Sequence, residues 1–140
     1  FVFLVIQDRF QFMVKPVEIV ENFFEVLSSR NLEQILLFFD ERSVWQNVPH
    51  PPAIGVKGIS EMFHTIVHRS SRIQWDIKTA SYGVDRAWLE RIDRFWIDGV
   101  EYAVECNGVF DFDIDNSIIV SVRDYVDLGE WRERLTEANL

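Results

Sequence analysis

Three ionisable residues stand where a strand should carry only apolar side chains: Arg91, Asp93 and Asp124. The run Trp88-Leu89-Glu90-Arg91-Ile92-Asp93-Arg94-Phe95-Trp96-Ile97 is rich in aromatic and branched residues and has no Gly or Pro, so it reads as a β-strand. Strand side chains alternate faces. One face then carries Leu89, Arg91, Asp93, Phe95 and Ile97, apolar at both ends and charged in the middle. In Ile118–Val126 the apolar face is Ile118, Val120, Val122, Asp124 and Val126, with one carboxylate among aliphatics. An unpaired buried charge costs several kcal/mol, so these groups must pair with one another. An Arg between two acids can hold both by charge-assisted hydrogen bonds. Burial raises a carboxyl pKa and a close Arg lowers it, so the two acids need not titrate alike. A pair pushed apart in this way supplies an acid and a base near neutral pH. That suits proton transfer at both ends of a small apolar substrate. The same residues could instead form a salt bridge that only fixes strand register.

Trp45 and Asn47 share a face at the end of an earlier short strand, Ser43–Asn47, beside Val48-Pro49-His50-Pro51-Pro52. Asn47 has a donor and an acceptor with which to orient a water. Its plainer role is to cap the turn. The proline-rich stretch cannot be helix or central strand and reads as a rigid loop.

The elements that position these residues follow from periodicity. Pro16 begins a helix with Val17, Val20, Phe23, Phe24 and Leu27 at helical spacing, ending near Ser28–Asn31. A second helix presents Leu32, Ile35, Leu36 and Phe39 and stops near Asp40–Arg42. Gly55 and Gly58 punctuate the chain before a third, Ile59–Ser70. The period then switches to two, with Ile73, Trp75 and Ile77 alternating with polar residues. Asp98-Gly99 marks a hairpin. Val100, Tyr102, Val104, Cys106, Gly108, Phe110 and Phe112 share a strand face, and Leu128, Trp131 and Leu135 suggest a last helix. A curled antiparallel sheet with helices on one face, an α+β fold around an apolar cavity, is the packing this order predicts.

The 140 residues fit one domain, with residues 1–14 as an arm and 15–140 as the core. With 48% hydrophobic, 14% aromatic and 26% charged residues, the chain has a globular composition. A net charge of −9 without a basic stripe argues against nucleic acid and anionic membrane as partners. The single cysteine, Cys106, forms no internal disulfide and fits a reducing, cytoplasmic compartment. The apolar run Phe1–Ile6 is shorter than a signal-peptide core of about 7–15 residues or a membrane span of about 20. It reads as a short strand or arm packing on the domain. His64 and His68 lie i, i+4, but Thr65 stands where a zinc-protease helix needs Glu, so they read as a solvated face. His50 reads as a loop residue at the cavity rim, and Cys106 as a small core hydrophobe. Neither a phosphate loop, a nucleophile elbow nor a metal-ligand pattern occurs. No cofactor is expected.

Trp45-Gln46-Asn47-Val48-Pro49-His50-Pro51-Pro52-Ala53-Ile54-Gly55 resembles the strand-and-loop signature of limonene-1,2-epoxide hydrolase. Glu90-Arg91-Ile92-Asp93 resembles that family's Arg-x-Asp strand, and Arg123-Asp124-Tyr125-Val126-Asp127-Leu128 its last strand. The likeness runs from about Val17 to Leu135, with the three motifs in order. It implies the cone-shaped α+β fold of nuclear transport factor 2 (NTF2), ketosteroid isomerase and SnoaL-like relatives, a curled mixed or antiparallel sheet packed by N-terminal helices around an apolar cavity. It implies a cofactor-independent, one-step hydration of a small lipophilic, limonene-like epoxide to a vicinal diol. Asp124 would take the proton from water, Asp93 would protonate the epoxide oxygen, Arg91 would bridge the two, and Asn47 would help hold the water. The outer face of the central strand holds Trp88 and Trp96 around Glu90 and Arg94, which predicts either a homodimer through this sheet, as the resemblance also implies, or cover by the N-terminal arm or a C-terminal helix. Two positions depart from the family. Trp45 stands where a water-holding Tyr is usual, and an indole N–H donates but cannot accept. Val122 stands where a Trp is common. An isomerase like ketosteroid isomerase, or a non-catalytic SnoaL-like or polyketide-cyclase-like binding module, shares the fold. The isomerase's basic Asp lies near the end of the first strand, where this chain has Gln46 and Asn47.

Overall fold

The computed structural model describes residues 14–140. The expected arm at Phe1–Ile6 lies outside the described residues. Helix α1 spans Pro16–Ser28, with Pro16 in the first turn, where a missing N–H costs nothing, and Glu18 beside the positive end of the helix dipole. It buries Ile19, Val20, Phe23, Phe24 and Leu27. Helix α2 spans Leu32–Leu36 and is capped by Asn31, whose side chain accepts from the Gln34 N–H at 3.2 Å. It stops short of the expected Phe39. The Phe38 carbonyl accepts instead from the Ile119 N–H at 2.8 Å, so docking onto the last strand outcompetes another helical turn.

Strand β1 is Val44–Val48 and β2 is the short Ala53–Ile54, separated by the proline loop with a cis Val48–Pro49 bond. Helix α3 runs from Gly55 to Arg69, starting four residues before the expected Ile59. Gly55 takes φ +69 at its start, and Gly58 lies so close to Ala53 that a Cβ there would stand 3.3 Å from the Ala53 carbonyl carbon. These glycines let the helix begin directly against β2. They do not break it.

Strands β3 (Arg72–Tyr82), β4 (Arg86–Ile97), β5 (Val100–Asp113) and β6 (Ile118–Val126) form a long meander. Asp98 (φ 53) and Gly99 (φ 78) make the two-residue β4–β5 turn that their types predict. The sheet order is β2-β1-β6-β5-β4-β3. Among the described strands only β1 and β6 pair in parallel, so the curled sheet is mixed rather than purely antiparallel. Strict alternation fails at two irregularities. Phe112 pairs with Ile119 but Asp111 with Ser121, so Val120 is an extra residue on β6. Ile119 is therefore the buried residue rather than Ile118 or Val120, while Val122 and Asp124 keep the expected inward phase. A shift after Ile77 in β3 accompanies that residue's exposure, and Val100 at the hairpin end is also exposed.

Helix α4, Leu128–Glu137, is capped by Asp127, which accepts from Gly129 N and Glu130 N. It reaches β5 through Tyr102 Oη, which donates to the Glu137 carbonyl, and Arg134 Nε, which donates to the Ala103 carbonyl. Helices α1 and α3 pack on the inner sheet face around Phe23, Trp45, Phe63, Trp75 and Phe110. Rings such as Trp45 and Phe63, 5.1 Å apart and edge to face, add about 0.5–1.5 kcal/mol per pair beyond burial. The outer face is polar and laced with ion pairs, with Trp88 and Tyr125 exposed within it. None of the described helices is long and apolar enough to cross a membrane.

Candidate active site

The three anomalous charges meet. Arg91 has no exposed surface, and its side chain forks between the two acids. Its Nε donates to Asp93 Oδ1 at 2.7 Å and its Nη2 to Asp93 Oδ2 at 3.0 Å. On the other side Nη1 donates to Asp124 Oδ1 at 2.9 Å and Nη2 to Asp124 Oδ2 at 2.7 Å. All four carboxylate oxygens are held by one guanidinium, which also stacks on Trp75 with its Cζ 4.6 Å from the ring centroid. Register makes this convergence. Arg91 pairs with Cys106 and Asp93 with Val104 across β4–β5, while Asp124 pairs with Gly108 across β5–β6. Asp93 thus lies two residues from Arg91 on the same face of β4, and Asp124 meets Arg91 from β6 across the intervening β5, over Gly108.

Both carboxylates face a cavity, also lined by Trp45, Asn47, Met62, Phe63, Trp75 and Trp131, that leaves about 80 Å³ for the centres of water-sized molecules. The Asp93 side chain is 15% exposed and that of Asp124 4%. Burial raises the Asp93 pKa, the Arg91 charge draws it down, and the nearby Asp124 charge raises it, with a net result of about 6. Burial opposes the charge on Arg91, but the Asp124 and Asp93 charges outweigh it, so the guanidinium titrates even higher than usual.

Asn47 pairs with Asp124 in the parallel β1–β6 register. Its main-chain carbonyl holds the proline turn, accepting from the His50 N–H at 2.7 Å. Its side chain is left free of that duty and turns to the cavity, with Nδ2 3.9 Å from Met62 Sδ. Capping and cavity-facing roles therefore coexist in one residue. Trp45 also lines the cavity but is 2% exposed and is ringed by Phe23, Phe39, Phe63, Trp75 and Phe110 at 5.1–6.1 Å. It is foremost a wall.

One contributor escaped the sequence reading. Gly108 sits under the triad. A Cβ there would collide with Arg91 Nη1 and lie 2.6 Å from Asp124 Oδ1. A glycine inside a strand is a sign of such close approach, and that was the available signal. Cys106 is buried beside the same group, and burial pushes its thiol well above the ordinary range despite Arg91, so it stays protonated. Ligand atoms of Asp93, Cys106 and Asp124 lie within 4.8 Å of one another. Arg91 donates to all four oxygens of the two carboxylates and is their partner in place of a metal ion, while the second lone pairs of those oxygens remain for a ligand in the cavity. His64 and His68 are exposed, as is His50 at a side pocket that shares Trp45, Asn47 and Met62 with the cavity.

No protein-family model matches the chain. Solved structures match it over most of their length. One, described as a SnoaL-like polyketide cyclase from Shewanella putrefaciens, is 11% identical with a TM-score of 0.74, covering 86% of this chain and 95% of that one. An epoxide hydrolase of M. tuberculosis, described as similar to limonene-1,2-epoxide hydrolase, is 20% identical with a TM-score of 0.71, covering 86% and 89%. A Catenulispora acidiphila protein with a ketosteroid isomerase-like fold is 18% identical with a TM-score of 0.70, covering 91% and 95%. The chain therefore has the SnoaL-like, NTF2-like fold, which hosts both enzymes and small-molecule-binding proteins.

Proposed function

We propose that this protein is an epoxide hydrolase that adds water to a small lipophilic cyclic epoxide. The observation that carries this reading is the pair of carboxylates bridged by one buried guanidinium and opening onto an aromatic cavity. In the proposed step, a water held by Asp124 and Asn47 attacks one oxirane carbon. Asp124 takes a proton from that water as its oxygen bonds to carbon. The C–O bond breaks, and Asp93 delivers its proton to the departing oxygen. The product is a vicinal diol, leaving Asp124 protonated and Asp93 ionised until solvent resets them. A pKa of about 6 keeps roughly a tenth of Asp93 protonated at pH 7, roughly 140 times more than its ordinary value of 3.8 allows. The resemblance of the three motifs to limonene-1,2-epoxide hydrolase and the structural likeness to an epoxide hydrolase support the same reading.

The proposal includes a homodimer through the outer sheet face. Trp88 and Tyr125 are 45% and 50% exposed there, and Arg94 is paired with Asp76 and Glu101. Light scattering at micromolar concentration should return twice the monomer mass, and a monomer would refute it. A cytoplasmic setting fits the single, unpaired Cys106.

Single-turnover hydrolysis of cyclohexene oxide in ¹⁸O-water tests the chemistry. The one-step route puts label into the diol on the first turnover. Unlabelled first-turnover diol would mean a carboxylate had attacked instead.

A further inference from the structure

The charged side chains on the cavity wall are Asp93 and Asp124, both acidic. Arg91 is fully buried behind them and does not reach the cavity surface. The aromatic part of the wall is Trp45, Phe63 and Trp75, with ring centroids 5.1–6.3 Å apart, and Trp131 from α4. Trp75 already serves as a platform for a cation, since it carries the Arg91 guanidinium at 4.6 Å. A neutral hydrocarbon uses neither the negative faces of indoles nor the one net negative charge that Asp93 and Asp124 keep after pairing with Arg91. A compact organic cation uses both, and it does so in a confined site where water screens little.

We infer that the cavity is a binding site for a small lipophilic ammonium ion, its alkyl groups against the indole and phenyl rings and its N–H on Asp93 or Asp124. The inference rests on the cavity lining and stands apart from the hydrolase reading. It also names a class of inhibitor, because an ammonium ion mimics the positive charge that develops at an oxirane carbon during opening.

The test is a calorimetric titration of the whole chain with trimethylammonium chloride, protonated throughout, against tert-butanol, a neutral molecule that also carries three methyl groups, at fixed ionic strength. The cation should saturate one site per chain at least about tenfold more tightly than the alcohol. Asp93→Asn and Trp131→Leu should each weaken it by about fivefold or more, while Leu37→Ala, on an exposed position away from the cavity, should not. Folding of each variant is checked by circular dichroism. If neither folds, the wild-type chain decides. Asp93 faces Arg91 on its own strand, Asp124 from β6 and Cys106 from β5. Affinity should rise between about pH 5 and 7 as Asp93, with its pKa of about 6, becomes ionised. Equal affinity for cation and alcohol, no saturation by about 50 mM, or indifference to pH would overturn the inference. Ammonium binding by a chain that opens no epoxide would leave it standing and remove the hydrolase reading. Diol formation without cation selectivity would do the reverse.

Discussion

Gly108→Ala adds one methyl group where the structure has no room for it. The backbone there is ordinary extended strand rather than left-handed, so no strain comes from φ. The cost is contact. The new Cβ would lie 2.6 Å from Asp124 Oδ1 and 3.1 Å from the Phe110 ring, and would collide with Arg91 Nη1. On a free side chain such atoms move aside cheaply. Here Arg91 is fixed by four hydrogen bonds and the Trp75 ring, and Asp124 by two of those bonds. Moving Nη1 forfeits at least its bond to Asp124, worth about 1.5–3 kcal/mol for a charged pair. Partial exposure of the rest of the fork brings the loss toward the roughly 3–5 kcal/mol of a broken buried ion pair. A loss of about 3 kcal/mol corresponds to roughly 10 °C in Tm for a chain of this size. Turnover should fall by at least about 10²-fold, because the acid and base lose their common anchor. Gly83→Ala is the control. Its nearest neighbours would be at 3.6 and 3.7 Å, ordinary contact, and its effect should be small. Thermal denaturation and diol formation read both variants. An alanine at 108 with unchanged Tm and rate would refute the claim that Arg91 is rigidly clamped between the acids.

Other consequences follow from the same geometry. The folded pKa of Asp93, about 6, lies above the ordinary 3.8, so folding favours its protonated form. That contribution is complete below about pH 3.8 and is lost as pH rises through 6. It amounts to about 3 kcal/mol for the shift of 2.2 units, the difference between 6 and 3.8. Urea titrations from pH 4 to 7 should show this decline in wild type and not in Asp93→Asn. Over the same range kcat/KM should fall above about pH 6 as the acid arm empties. Trp45→Tyr would return a hydroxyl to the cavity wall and should raise diol formation by about 2- to 13-fold, the value of one positioning hydrogen bond. An unchanged rate would make Trp45 wall alone. The Tyr variant should also melt lower, because Trp45 packs against five aromatic rings.

The site was legible where the chemistry was anomalous. A charge on an apolar strand face has few explanations, so Arg91, Asp93 and Asp124 could be picked from alternation alone. Their pairing needed more, since Arg91 and Asp124 stand on β4 and β6 and meet across β5 over Gly108. The strand ends were less legible, because alternation assumes an unbroken ladder. The extra residue Val120 and the shift after Ile77 change the phase without any Gly or Pro to announce it. Gly55 and Gly58 misled in the opposite direction. They read as breakers, but they are there because a helix start and a strand come within contact distance. The parallel β1–β6 pairing is a long-range choice that local pattern does not encode. Yet it is this pairing that sets Asn47 beside Asp124. Gly108 carried a visible signal, a glycine amid bulky strand residues, whose meaning became clear only when Arg91 was found against it.

The central claim is that water is added by Asp93 as acid and Asp124 as base. The rate of diol formation from cyclohexene oxide in folded Asp93→Asn and Asp124→Asn tests it most directly. Each should fall at least about 10²-fold below wild type. A folded variant of either that keeps the wild-type rate would contradict the account.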